Sequence, residues 1–261
     1  MVRFLVVAVV FSFAMAGVRA QNVGSSDTLT LMTFNIYHGE TMKGDFDLNY
    51  IAHIIDEKHP DFVALQEVDF KTKRALNKDL ATELGIRTGL APLFGQAMPF
   101  NGGAYGVGLL SKWPIEHSQV IQLPGTTKSE PRVALEISVG LPSGNRLFFV
   151  STHLDHSDAE VRRQQMQFLA KRYDTKEIPV IMAGDFNEIP CGENMKTVLE
   201  NFQMCDEQSQ QATYPSNQPT DKIDYILLSK GPAWEVLSTE VVSDSIASDH
   251  QALTSKVVLF N

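Results

Sequence analysis

Cysteine is nearly absent. Cys191 and Cys205 are the only two in 261 residues, too few for a disulfide framework or a multi-thiolate zinc site. In an oxidising compartment they could pair or both stay free, because spacing in sequence does not give the Cα separation that a bridge requires. HExxH, Cys/His zinc spacing and a GxGxxG cradle are also missing. So are a Pro/Gly/Ser linker, an internal repeat and a low-complexity tract, which leaves residues 21–261 expected as one domain with a core ample for that length. The apolar run at residues 4–16 is too short to span a bilayer. It follows Arg3 and precedes Val18-Arg19-Ala20, small residues of the kind a signal peptidase reads, so residues 1–20 are expected to be a cleaved secretory signal. No cysteine lies near that point to carry a lipid, and a secreted or periplasmic protein without a transmembrane segment is expected.

Basic residues are scarce as well. Without Arg3 and Arg19, the 22 Lys and Arg fall to 20 against 31 Asp and Glu, a formal charge of −11. Such a surface repels nucleic acid, whose non-specific binding depends on neutralising phosphates. Apart from Lys71-Thr72-Lys73-Arg74 the cations are scattered, and no polybasic segment, amphipathic helix or long aromatic hairpin announces lipid or DNA recognition. Net charge does not report distribution, so a nuclease stays open as an alternative.

What is present is an alternation of strands with a few helices. Residues 29–35 read as a strand, and Asp47 can cap a helix whose apolar face carries Leu48, Ile51, Ile54 and Ile55 and which must stop before Pro60. Residues 62–65 return as a strand. Asn101-Gly102-Gly103 signals a hairpin ahead of a strand at 105–110, with further β-like runs around Val120, at 133–139 and at 147–152. Residues 157–173 read as a helix with Ser157 as cap and Glu160 three residues on. Strands at 178–183, 223–228 and 252–260 complete the set, a pattern that suggests two packed sheets covered by helices.

Six blocks place polar groups just after apolar stretches: Thr33-Phe34-Asn35-Ile36, Leu65-Gln66-Glu67-Val68, Ser151-Thr152-His153-Leu154, Gly184-Asp185-Phe186-Asn187, Lys222-Ile223-Asp224-Tyr225 and Ser248-Asp249-His250. Carboxylates, amides and imidazoles at several strand ends can converge to bind a hard cation and handle protons. If strand geometry persists, Asp185 and Asn187 point to one side while Phe186 enters the core. Taken singly, each is equally a solvated strand-end residue, an Asx turn or a hydrogen-bonded surface histidine. Asp224 is a remote partner able to fix an imidazole tautomer.

In this order and context the blocks resemble the endonuclease/exonuclease/phosphatase superfamily of metal-dependent phosphoesterases, across residues 29–259. Asn35-Ile-Tyr-His-Gly-Glu, Gln66-Glu-Val-Asp and Thr152-His-Leu-Asp-His are similar to its secreted bacterial branch. The resemblance implies a DNase I-like, four-layered α-β-β-α sandwich with two mostly antiparallel packed sheets and the site at one edge. It implies Glu67 as principal ligand of Mg²⁺, with Mn²⁺ or Ca²⁺ as substitutes, Asn35 close by, and Asp249 in or beside the metal shell. Asp185 would orient or deprotonate the attacking water, Asn187 would steady a phosphoryl oxygen, and His250, held by Asp224, would contact the phosphate. His153 would face the leaving group, and Tyr105 would touch phosphate.

One position departs from the nuclease pattern: where a glutamate two residues after that tyrosine would support the first histidine, this chain has Val107. That weakens an acid role for His153 and favours branches acting on small or lipid-derived substrates. His38 and His156 are extra imidazoles beside the motifs that could line the pocket, a surface role being the alternative. The expected activity is hydrolysis of a phosphodiester or phosphomonoester by a monomer. The alternatives are a secreted nuclease and a binding protein on the same scaffold.

Overall fold

In the computed structural model, which describes residues 26–174, 178–207, 209 and 211–260, twelve strands and four α-helices are found among the described residues. The expected signal segment, residues 1–20, lies outside them. No described helix is long and apolar enough to cross a membrane. The first half runs β1 (Ser26–Asn35), α1 (Leu48–Asp56), β2 (Phe62–Phe70), α2 (Leu80–Thr88), β3 (Ala91–Phe100), β4 (Gly103–Ser111), β5 (Ile115–Gln122) and β6 (Val133–Gly140). The second runs β7 (Arg146–His153), α3 (Ala159–Arg172), β8 (Val180–Asp185), α4 (Glu193–Leu199), β9 (Phe202–Met204), β10 (Asp224–Ser229), β11 (Trp234–Val242) and β12 (Ala252–Phe260).

The strands form two six-stranded sheets, ordered β11-β12-β1-β2-β4-β3 and β5-β6-β7-β8-β10-β9. Each sheet is mixed, with one parallel pair at its centre, β1 with β2 and β7 with β8. Each parallel pair is joined by a crossover helix, α1 or α3, as parallel strands require. One apolar cluster lies between the sheets, and one further cluster lies under each pair of helices. The result is the expected α-β-β-α sandwich.

Period-two alternation carries the core pattern directly into the site. On β1, Leu29 and Leu31 face the other sheet, so Asn35 does too, while Met32 and Phe34 pack under the helices. On β7, Leu147 and Phe149 bring His153 to the inter-sheet face. On β8, Ile181 and Ala183 do the same for Asp185, and on β10, Ile226 and Leu228 do so for Asp224. Four strand ends therefore deliver polar side chains to one gap.

Several expectations need correction. Strand β2 does not stop at Leu65. It continues to Phe70 through a bulge in which Gln66 and Glu67 together face one residue of β4, between the pairs Leu65–Gly108 and Val68–Gly106. The cap of α3 is Asp158, whose carboxylate accepts from the Glu160 and Val161 N–H groups, whereas Ser157 is tied to Asp155. Strands β3, β9 and β11 and helices α2 and α4 were not anticipated. β3 contains Pro92 and Pro99, which a strand tolerates only at a sheet edge, and β3 is an edge. Asp47 caps α1 as expected, accepting from the Asn49 and Tyr50 N–H groups. The Asn101-Gly102 pair, both with positive φ, closes the two-residue hairpin between β3 and β4. Cys191 is exposed, Cys205 is buried, and both are free thiols.

Gly184 marks the tightest approach of β7 to β8, next to His153 and Asp185. A Cβ there would lie 2.0 Å from the Thr152 carbonyl oxygen. Gly184→Ala should therefore lower stability by about 1–3 kcal/mol, read as a fall in the urea midpoint; an unchanged midpoint would mean the strands are not in such contact.

Candidate active site

The carboxyl ends of the two parallel pairs meet, and a cleft of about 410 Å³ opens there. Asn35 joins the two sheets at this cleft. Its Nδ2 donates to Glu67 Oε1 and to Asp185 Oδ2, each at 3.3 Å, so the separation of the two carboxylates cannot exceed the sum of those contacts. Asn35 Oδ1 accepts from the Tyr37 N–H, and its backbone oxygen accepts from Ser248 Oγ. The amide thus presents nitrogen to the carboxylates and acts as a spacer between them.

Glu67 owes its aim to the bulge, where its φ is +56°. A non-glycine residue in the left-handed region is uncommon and costs of order 1–3 kcal/mol, a conformation that recurs at functional sites. Burial pushes the Glu67 carboxyl up, but contacts from His38 and Asn35 and the charge of His250 outweigh it, holding it below the ordinary glutamate value. Asp249 lines the cleft beside it. Burial and the Glu67 charge raise Asp249 against the pull of His250. Two carboxylates that repel each other, with no lysine or arginine paired to either among the described residues, form a hard oxygen set suited to a divalent cation.

A second cluster gathers Asp185, His153 and Asp224 from the other sheet around His250, which stands just before β12 of the first. His250 Nδ1 is 2.9 Å from Asp224 Oδ2, which also accepts from Thr213 Oγ1 at 2.6 Å. Lys222 Nζ donates to the Asp224 carbonyl oxygen and pairs with buried Asp206. The other ring nitrogen, Nε2, faces Asp185 Oδ2 at 3.7 Å, and His153 Nε2 reaches the same oxygen at 3.4 Å. Burial disfavours charge on His250, but the Asp224 carboxylate, with help from Asp185 and Asp249, raises it to about 10. Burial and then the Asp224 charge push Asp185 well above the ordinary aspartate range. His153 goes the other way: burial, then the charges of Arg132, His250 and His156, hold it well below 6.5 and neutral.

Atoms of Asp185, Asp224 and His250 lie within 4.8 Å of one another, a spacing that would also suit a metal. Within that cluster His250 Nδ1 and Asp224 Oδ2 are already engaged with each other.

The other predicted residues fall as follows. Asn187 lines the cleft, but β8 has ended and its φ is +50°, so the strand geometry anticipated across Asp185 and Asn187 does not persist. Its N–H instead donates to Asp185 Oδ1, and its Nδ2 to the Leu154 carbonyl. Tyr105 and His156 line the cleft. His38 does not; it sits behind Glu67, 3.7 Å from Oε2, with Nε2 at 3.3 Å from Glu40. Val107 packs into the inter-sheet core, and His153 Nδ1, bordering the same small closed pocket, is buried without a hydrogen-bond partner.

Sequence reading gave no role to two arginines of the cleft. Arg74 is locked by both oxygens of Asp69, at 2.7 and 2.9 Å, and lies over the Phe100 and Tyr105 rings. Arg132 stands beside His153 and His156. Its only cue is position, directly before a buried strand.

Because His250 titrates above its ordinary 6.5, the stabilisation from its pair with Asp224 is complete below about pH 6.5 and is lost as pH climbs through about 10. Asp224→Asn should bring the His250 ring resonances, followed by NMR in EDTA, from about 10 back toward 6.5. An unmoved titration would show that Asp224 does not hold the imidazole.

Known structures share this fold. Similar solved structures include an endonuclease/exonuclease/phosphatase family protein from Bacteroides thetaiotaomicron, 17% identical over 91% of this chain and 97% of its own, with TM-score 0.76. Another, from Beutenbergia cavernae, is 21% identical over 90% and 72%, with TM-score 0.72. A mannosyl-6-phosphatase of Bacteroides thetaiotaomicron is 17% identical over 88% and 99%, with TM-score 0.74. These share the fold. With the family model matching residues 32–250, the chain belongs to the endonuclease/exonuclease/phosphatase family.

Proposed function

We propose that this protein is an exported, divalent-cation-dependent hydrolase of phosphate esters, acting on a small or lipid-derived substrate by in-line attack of water at phosphorus. The observation that carries the reading is the placement of Asp185. Its carboxylate stands within reach of two imidazoles and one bridging amide from the ionised Glu67. Members of this family are typically phosphoester hydrolases, and the mannosyl-6-phosphatase among the similar structures supports a small phosphorylated substrate.

Glu67 and Asp249, with Asn35 alongside, would hold Mg²⁺, or Mn²⁺ or Ca²⁺ in its place, which when bound supplies charge neutralisation at phosphoryl and leaving oxygens. Asp185, with its proton affinity raised by burial and Asp224, is suited to orient a water and accept its proton. Asn187 and the His250 cation can donate to a phosphoryl oxygen as charge develops there. Asp224 holds the His250 ring in one tautomer and sustains its charge. His153, kept neutral, serves as a hydrogen-bonding group on the leaving side and not as an acid.

Asp185→Asn and Glu67→Gln should each reduce turnover of bis-(p-nitrophenyl) phosphate or p-nitrophenyl phosphate by at least about 10²-fold, and EDTA should abolish it. Either variant keeping more than about a tenth of wild-type turnover would contradict the assignment. The sequence from Arg3 to Ala20 supports export, so the N-terminus of protein recovered from outside the cytoplasm should be Gln21; an uncleaved Met1 would refute it.

A further inference from the structure

We infer that Arg132 selects a phosphate monoester over a diester at this site, an inference that rests on the phosphoesterase reading above. Arg132 stands just before β6 and is only 4% exposed, yet its guanidinium lines the cleft. Its partners are few. Nη2 makes one hydrogen bond, to His156 Nδ1 at 3.2 Å. Glu130 Oε1 approaches Nη2 to 3.3 Å without forming a hydrogen bond, and both that oxygen and Arg132 Nε are buried and unpartnered. Arg74, the other arginine of the cleft, has its fork closed by Asp69.

A guanidinium offers five N–H donors in a rigid plane matched to two oxygens of a carboxylate or phosphate. That buried cation has Glu130 at 3.3 Å and contacts from His156 and Tyr105, yet its Nε is left without a partner, a cost that a bound anion would remove. The neighbouring His153 is neutral, so beside it the positive charge is that of Arg132, faced by Glu130.

The choice of ester follows from counting oxygens. A diester has two non-bridging oxygens and one negative charge; a monoester has three and, near neutral pH, close to two charges. The Glu67–Asp249 side serves one oxygen, and Asn187 with His250 serves a second. The third would fall to Arg132, which shares the remaining wall with Tyr105, Glu130 and His156 and whose Nε is buried without a partner. In a diester that position carries an ester oxygen bonded to carbon, which is uncharged and a poor acceptor and leaves the buried donor unpaired. Sites built to pair a polar group reject analogues lacking it far more strongly than apolar pockets reject a change of size.

The test compares wild type, Arg132→Gln, Arg132→Lys and Glu130→Gln on p-nitrophenyl phosphate and bis-(p-nitrophenyl) phosphate in Mg²⁺. Binding of inorganic phosphate and dimethyl phosphate is measured in parallel by calorimetry. Arg132→Gln should lower kcat/KM for the monoester by at least about 10²-fold and for the diester by less than about tenfold. Arg132→Lys, which keeps the charge and loses the fork, should fall between. Equal losses on the two esters, or inorganic phosphate bound by Arg132→Gln as tightly as by wild type, would overturn the inference. Should the buried substitutions fail to fold, Glu130→Gln still decides. Removing the competing carboxylate should tighten inorganic phosphate binding by roughly threefold, and no change would overturn the inference. A wild-type protein inert toward both esters would remove the hydrolase reading, whereas phosphate affinity that depends on Arg132 would still support an anion anchor there.

Discussion

One amide nitrogen set between two carboxylates holds the two halves of this molecule in working register. Asn35 ends a strand of the first sheet, and its Nδ2 bonds Glu67 of its own sheet and Asp185 of the other. Everything polar in the cleft is placed relative to that bridge. The two sheets share a strand order, each with a central parallel pair joined by a helix, and ligand sites in such arrangements lie beyond the carboxyl ends of the strands. Here two such ends face each other, so residues from both sheets line one cleft.

The electrostatic cost of this arrangement is divided. Glu67 and Asp249 repel each other on one side, while Asp185 and Asp224 do so on the other, and His250 stands between as the shared counter-charge. Burial and neighbouring carboxylates raise Asp249 and Asp185, while the surrounding carboxylates raise His250 against its burial. The cluster thus combines a carboxylate of raised proton affinity, an imidazolium fixed by a buried aspartate and, among the described residues, a carboxylate pair without a lysine or arginine partner. Left-handed backbone occurs at Glu67 and Asn187 of the cleft and at His38 behind Glu67. Local conformational strain and charge repulsion therefore coincide at the strand ends, while the apolar clusters behind them supply the stability.

Much of this was legible in the sequence because period-two alternation is a local property. Leu29 and Leu31 fix where Asn35 points, and Ile181 and Ala183 fix Asp185, with no knowledge of the partner sheet. The Asp47 cap and the Asn101-Gly102 hairpin were legible for the same reason. What could not be read depended on register between strands or on distant neighbours. The bulge at Glu67 exists only against Val107 of β4. Pro92 and Pro99 argue against a strand until β3 is known to be an edge. Asn187 looked like a continuation of β8 because nothing local announces its left-handed turn. Arg132 gained meaning only when His153, His156 and Glu130 closed around it.

The division of labour between the two carboxylate groups is the point on which the structure is most open to direct trial. Crystals soaked in Mn²⁺ and measured by anomalous scattering should show a single ion held by Glu67 and Asp249, and none in Glu67→Gln. An ion bound instead among Asp185, Asp224 and His250, or occupancy undiminished by Glu67→Gln, would contradict the arrangement.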